Sequence, residues 1–137
     1  MSLDPERALQ AAVLAHLLAD TGLTALLGDP PRIHDQPPAQ PVYPYALIGR
    51  AEARPWGGLD GEGTEHLLTL TVVSQFEGAE EAKAIVAAIR ALLHEADLTL
   101  TDHRLVNLRT SFADVFRAAD WRSTYGVLRL RAVTEPL

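Results

Sequence analysis

The sequence predicts an α+β fold: a mainly antiparallel four- to five-stranded sheet with two helices packed on one face. Three observations predict it. Two segments repeat apolar residues at three- and four-residue spacing, several others alternate from residue to residue, and the connections between them are of hairpin length. With 137 residues the chain is read as one domain spanning 1–137. A core of that size removes roughly two-thirds of the unfolded chain's surface from water.

Asp4-Pro5-Glu6 starts the first helix. Asp4 can cap it, Pro5 suits the first helical position, and Glu6 favours the positive end of the dipole. Leu9, Val13, Leu14, Leu17 and Leu18 then form one apolar face. Thr21-Gly22 stops this helix, and Leu23 to Leu27 adds one more turn before Gly28-Asp-Pro-Pro31. Arg32-Ile-His-Asp35 is a short extended piece. Prolines at 37, 38, 41 and 44 stiffen the step that follows, and Tyr45 to Arg50 is a strand. From Ala51 to Gly63 periodicity is lost and glycines gather at 57, 58, 61 and 63, which reads as a long mobile loop or the wide end of a hairpin.

Thr64 to Ser74 is a strand with His66, Leu68, Leu70 and Val72 on one side and Leu67, Thr69, Thr71 and Val73 on the other. Both faces are therefore expected to be at least partly covered. Glu77-Gly-Ala-Glu-Glu81 opens the second helix, with Ala82, Ile85, Val86, Ile89, Leu92 and Leu93 as its buried stripe. Two strands close the chain, at about His103 to Phe112 and Thr124 to Val133. In the last, Leu128, Leu130 and Ala132 share a face while Arg129 and Arg131 point the other way.

Composition removes several function classes. Cysteine is absent, which excludes disulfides, thiolate catalysis and cysteine zinc sites. The net charge of −6 argues against a surface that grips phosphate backbones. No apolar run is long enough for a transmembrane helix, and no signal-peptide pattern opens the chain, so no membrane partner and a cytosolic location are expected. Lys83 is the one lysine among twelve basic residues. This arginine bias fits a GC-rich genome, and arginine also suits protein interfaces through its two-pronged pairing with carboxylates.

No motif for chemistry completes itself. His94-Glu95 begins like a zinc-protease helix, but Leu98 stands where the second histidine belongs. His94 is then a residue at a helix C-terminus, with Asp97 as its one nearby co-ligand. His34-Asp35 lacks a nucleophile to join it and reads as a strand-end pair satisfying turn amides. Asp60-Gly-Glu-Gly-Thr64 alternates oxygen side chains like a calcium loop, yet Thr71 sits where the closing glutamate belongs. The glycines match neither a dinucleotide nor a phosphate-binding loop, and Ser74 lacks the glycines of a nucleophile elbow. Neither catalytic residues, nor a metal site, nor a cofactor are expected.

Two features fit contacts between proteins. The first is the loop carrying Arg54, Pro55, Trp56, Asp60 and Glu62. A tryptophan there either anchors an interface or folds back on its own sheet. The second is Asp114-Val-Phe-Arg-Ala-Ala-Asp-Trp-Arg122, with Arg117 between two aromatics. It is either a hairpin loop whose Phe116 and Trp121 cap the core, or a docking surface between identical subunits.

In their order and spacing these residues resemble the tail-completion or tail-terminator proteins of long-tailed phages and gene transfer agents. The resemblance runs nearly end to end. It is carried by Arg32-Ile-His-Asp35 with its prolines, Tyr43-Pro-Tyr45 and the strand to Gly49, and His66-Leu-Leu-Thr-Leu-Thr-Val-Val-Ser74. Gly78-Ala-Glu-Glu-Ala82, Arg104-Leu-Val-Asn-Leu108, Arg117 and Tyr125-Gly-Val-Leu-Arg-Leu-Arg131 continue it. Gln75-Phe76 departs from it, where an aromatic before the serine and a basic residue after it are expected.

The resemblance implies a structural role. Such proteins form rings, commonly hexamers, at the head-proximal end of the tail tube, where they stop growth and offer the surface for head joining. The implied partners are further copies of the chain, the tail tube protein and the head–tail connector or stopper protein, with DNA passing through the lumen without specific binding. The implied location is the bacterial cytoplasm during assembly and then the phage-like particle. The expected contact residues are Arg54, Trp56, Asp60, Glu62, Asp114, Arg117 and Arg122. Three other readings compete: a neck protein of the same particle, a small metal-dependent hydrolase, and a ligand-binding module with a deep apolar pocket.

Overall fold

The computed structural model describes residues 3–57 and 62–137. Its elements run α1 (Pro5–Leu18), α2 (Thr21–Leu27), β1 (Ile33–His34), β2 (Tyr45–Trp56), β3 (Gly63–Ser74), α3 (Glu80–Leu93), β4 (His103–Arg117) and β5 (Thr124–Pro136). The strands form one five-stranded sheet in the order β1-β2-β3-β5-β4. The α+β class and the mainly antiparallel sheet stand as read from the sequence.

Helix ends follow the local chemistry. The Asp4 carboxylate accepts from the Arg7 amide at 2.8 Å and caps α1, with Pro5 at its first position. Those hydrogen bonds hold the Asp4 carboxyl below its ordinary range. Asp20 caps α2 in the same way, accepting from the Leu23 amide at 3.0 Å. The extra turn after the first helix is thus a helix of its own, so three helices cover the sheet rather than two.

The core lies between these helices and one face of the sheet. Leu9, Val13 and Leu17 of α1, Leu23 and Leu27 of α2, and Ile85, Ile89 and Leu93 of α3 pack with Leu70, Leu128 and Leu130. Leu18, expected in the stripe, lies beyond its edge and is 40% exposed. Gly126 of β5 is where α3 comes closest: a Cβ there would meet Val86 Cγ2 at 2.5 Å. His66 sits fully inside, its Nε2 2.9 Å from the Thr134 hydroxyl. Burial, and secondarily the nearby His103, lower its pKa below the ordinary 6.5.

Three details refine the expectations. The sheet is mixed, because β1 runs parallel to β2, Ile33 beside Ala46 and His34 beside Leu47. The proline step carries the chain back to the starting end of β2, and the Arg32 guanidinium ties it by donating to the Pro44 carbonyl at 2.9 Å. Secondly, of the loop and hairpin readings of Ala51 to Gly63 it is the hairpin that holds, and most of the segment from Ala51 is strand. β2 pairs with β3 in regular register from Ala51–Leu68 to Trp56–Gly63 after a bulge, leaving Gly57 to Glu62 between the strands. Thirdly, Asp114 to Arg117 belong to β4, not to a hairpin loop. Phe116 and Trp121 do not cap the core, being 43% and 76% exposed.

Candidate functional site

Strand alternation sorts side chains into two sets. All helices lie on one face; the other has no helix over it among the described residues. On the uncovered face β2 presents Glu52, Arg54 and Trp56, β3 presents Glu65 and Leu67, β5 presents Arg129 and Arg131, and β4 presents Phe112, Asp114 and Phe116.

The charged side chains there are ordered by one another. Glu65 accepts from Arg131 Nε at 2.7 Å and faces Arg54 Nε at 3.3 Å, so one carboxylate serves two guanidiniums. Arg131 also lies 5.0 Å from the centre of the Trp56 ring, and Arg129 lies 4.8 Å from that of Phe112. Phe116 meets Tyr125 edge-on at 5.8 Å. Between these groups a shallow groove of about 490 Å³ is bordered by Arg50, Glu52, Phe112 and Arg129, with Leu67 and Thr69 at its base. Its floor is half-buried rather than enclosed, and the Arg50–Glu52 ion pair at 2.7 Å lies along its border.

The expected contact residues separate into two groups. Arg54 and Trp56 lie at the far end of β2, with Glu62 exposed just before β3; Asp60 lies outside the described residues. Asp114 and Arg117 lie at the far end of β4, the opposite border of the sheet. Arg117 donates to the Trp121 carbonyl at 3.2 Å, and the Arg122 amide donates to Asp120 at 2.9 Å, which shapes the exposed turn after β4. The structure therefore links Arg54 to Trp56 through Glu65 and Arg131, and brings Arg117 to Trp121, but does not bring the two groups to each other. Glu65, Phe112, Arg129 and Arg131 were not read as functional from sequence. The alternation of arginines with leucines in β5 signals Arg129 and Arg131, while Glu65 in β3 and Phe112 in β4 join them only through strand pairing.

The histidines are occupied with structure. His16 Nε2 lies 2.9 Å from the Leu92 carbonyl, His103 Nε2 lies 2.7 Å from the Leu3 carbonyl, and His94 Nδ1 accepts from the Thr110 amide at 3.1 Å. His34 packs its ring 5.7 Å from that of Tyr45. Among the described residues no three histidine or carboxylate groups come together as a metal site.

Comparison with known proteins gives the same direction. The family described as tail completion protein gp17 matches residues 11–135. A chain of the virion of a native gene transfer agent particle is 32% identical, with a TM-score of 0.88 over 98% of this chain and 99% of that one. No curated protein matches the sequence.

Proposed function

The chain belongs to the tail completion protein family, whose members are structural proteins of phage tails, and on that premise we propose that it closes the head-proximal end of a phage-like tail. In this reading it forms a ring, of six copies as the family resemblance implies, that stops growth of the tail tube and presents the surface to which the head connector docks. The likeness to a gene transfer agent virion chain along the full length of both supports incorporation into the particle itself.

The observation that carries the ring is the separation of the two candidate groups onto opposite borders of one sheet. A ring of identical copies needs two different, complementary patches on each copy, because its contacts are heterologous. One border offers Arg54 and Trp56, the other Asp114, Arg117 and the Trp121 turn. The net charge of −6 on each copy supports passage of DNA without retention.

Co-purification tests the position. The chain is expected to be retained with isolated tails and their tube protein. Retention with portal-bearing heads in place of tails would support the neck reading instead.

A further inference from the structure

We propose that successive copies in the ring join edge to edge, the outer half of β2 on one copy pairing antiparallel with the last third of β4 on the next. This inference rests on the ring reading above. It follows from where the sheet leaves its backbone unpaired.

β1 pairs with β2 at Ala46 and Leu47 alone, so among the described residues nothing pairs with the outer edge of β2 from Gly49 to Trp56. β4 is the other edge strand, and its first part is covered. Leu108 accepts from the Glu95 amide at 2.8 Å, Thr110 donates to His94, and Thr99 bridges to Arg104. From Phe112 to Arg117 no backbone group on that edge has a partner among the described residues. Open edges of this kind are templates for another strand.

Direction and charge fit a second copy. β2 and β4 run in opposite senses, since each step from β2 through β3 and β5 to β4 is antiparallel. A neighbour's β2 laid beside β4 therefore continues the alternation. In the register that opposes Arg54 to Asp114, Trp56 meets Phe112, and Ala53 and Ala51 face Val115 and Arg117. Asp114 is exposed and has no ion pair among the described residues, while Arg54 shares its carboxylate with Arg131 and keeps its side chain 64% exposed. Sliding by two residues would oppose Glu52 to Asp114, and like charges directly across are unfavourable. Pro55 has no amide to donate, so Ala51 and Ala53 supply the donors from β2, while Val115 and Arg117 donate from β4.

The geometry also closes. Within one copy Arg54 is level with Asn107, through Glu65 and Val133. Matching Arg54 to Asp114 therefore shifts each copy by about six residues, ~20 Å, across four strands spanning ~19 Å. Strands would be inclined by about 45° to the ring axis, at the upper end of the range that closed barrels adopt. Six copies at that inclination would give a wall about 50 Å across at the backbone.

The test uses the absence of native cysteine. Arg54→Cys with Asp114→Cys places the two Cα atoms about 4.5–5.5 Å apart across the proposed junction, within disulfide range. Inside one copy the same positions lie on opposite sheet borders, so only neighbours can be linked. Oxidised tails carrying the double variant are expected to give a ladder of covalent multimers on a non-reducing gel, with either single variant staying monomeric. A ring visible on tails by electron microscopy, with no multimer from this pair or from Arg50→Cys or Glu52→Cys combined with Asp114→Cys, would overturn edge pairing and leave the ring standing. Tails that carry the chain without any ring would overturn both. Charge reversal gives a second reading: Arg54→Asp lowers ring-bearing tails by about tenfold, and adding Asp114→Arg restores them.

Discussion

Arg32 donates through Nε to the carbonyl oxygen of Pro44 at 2.9 Å, and its Nη2 reaches the Tyr43 carbonyl at 3.4 Å. One side chain, set just before β1, thus clasps the closing end of the proline-rich step and holds β1 alongside β2. Gly28 makes room for it: a Cβ there would lie 2.3 Å from Arg32 Nη1, and its φ of 89° favours glycine. Arg32→Ala is expected to cost about 1–2 kcal/mol, as for hydrogen bonds from a half-buried charged donor. Urea denaturation checks it, with the midpoint falling and the slope unchanged.

His66 makes stability depend on pH. Its native pKa lies below the unfolded value of 6.5 because burial disfavours the charged ring. The unfolded chain therefore takes up this proton first as pH falls. The contribution is intact above 6.5 and is lost progressively between 6.5 and the lower native value. Denaturation at several pH values should show this loss, and His66→Gln should flatten it.

Gly126→Ala tests the contact between β5 and α3. The added methyl would collide with Val86, 2.5 Å away. Overpacking of this kind costs about 1–3 kcal/mol. Adding Val86→Ala should recover part of the loss, since it removes the atom that is struck; a thermal melt measures both.

Much of this was legible before the structure. Leu9, Val13 and Leu17, and Ile85 and Ile89, announce their helices by spacing, and the central strand from Thr64 to Ser74 alternates plainly. The far half of β2 was not legible because its two faces carry little hydrophobic contrast. Ala51, Ala53 and Pro55 alternate with Glu52, Arg54 and Trp56, a period of two in small against large residues, and Pro55 argues against a strand unless it lies at an edge. Which border each contact residue occupies depends on strand order, and the parallel β1 is a tertiary outcome of the Arg32 clasp. The grouping of Glu65 with Arg131 crosses between strands far apart in sequence, and that of Arg129 with Phe112 depends on the bulge in the β4–β5 pairing, so spacing along the chain carries no mark of either.

Trp56→Ala separates fold from assembly. The ring is 46% exposed and rests under Arg131 on the uncovered face, so its loss should shift stability by only about 0.5 kcal/mol. The fraction of tails joined to heads should fall sharply, as when an aromatic anchor leaves an interface. Negative-stain counts of joined and unjoined tails, beside a melting curve of the free chain, measure the two effects.

Termination and joining are tested most directly by electron microscopy of particles made without this chain. Tails of uncontrolled length that carry no heads are the predicted result. Normal joined particles of uniform tail length would contradict it.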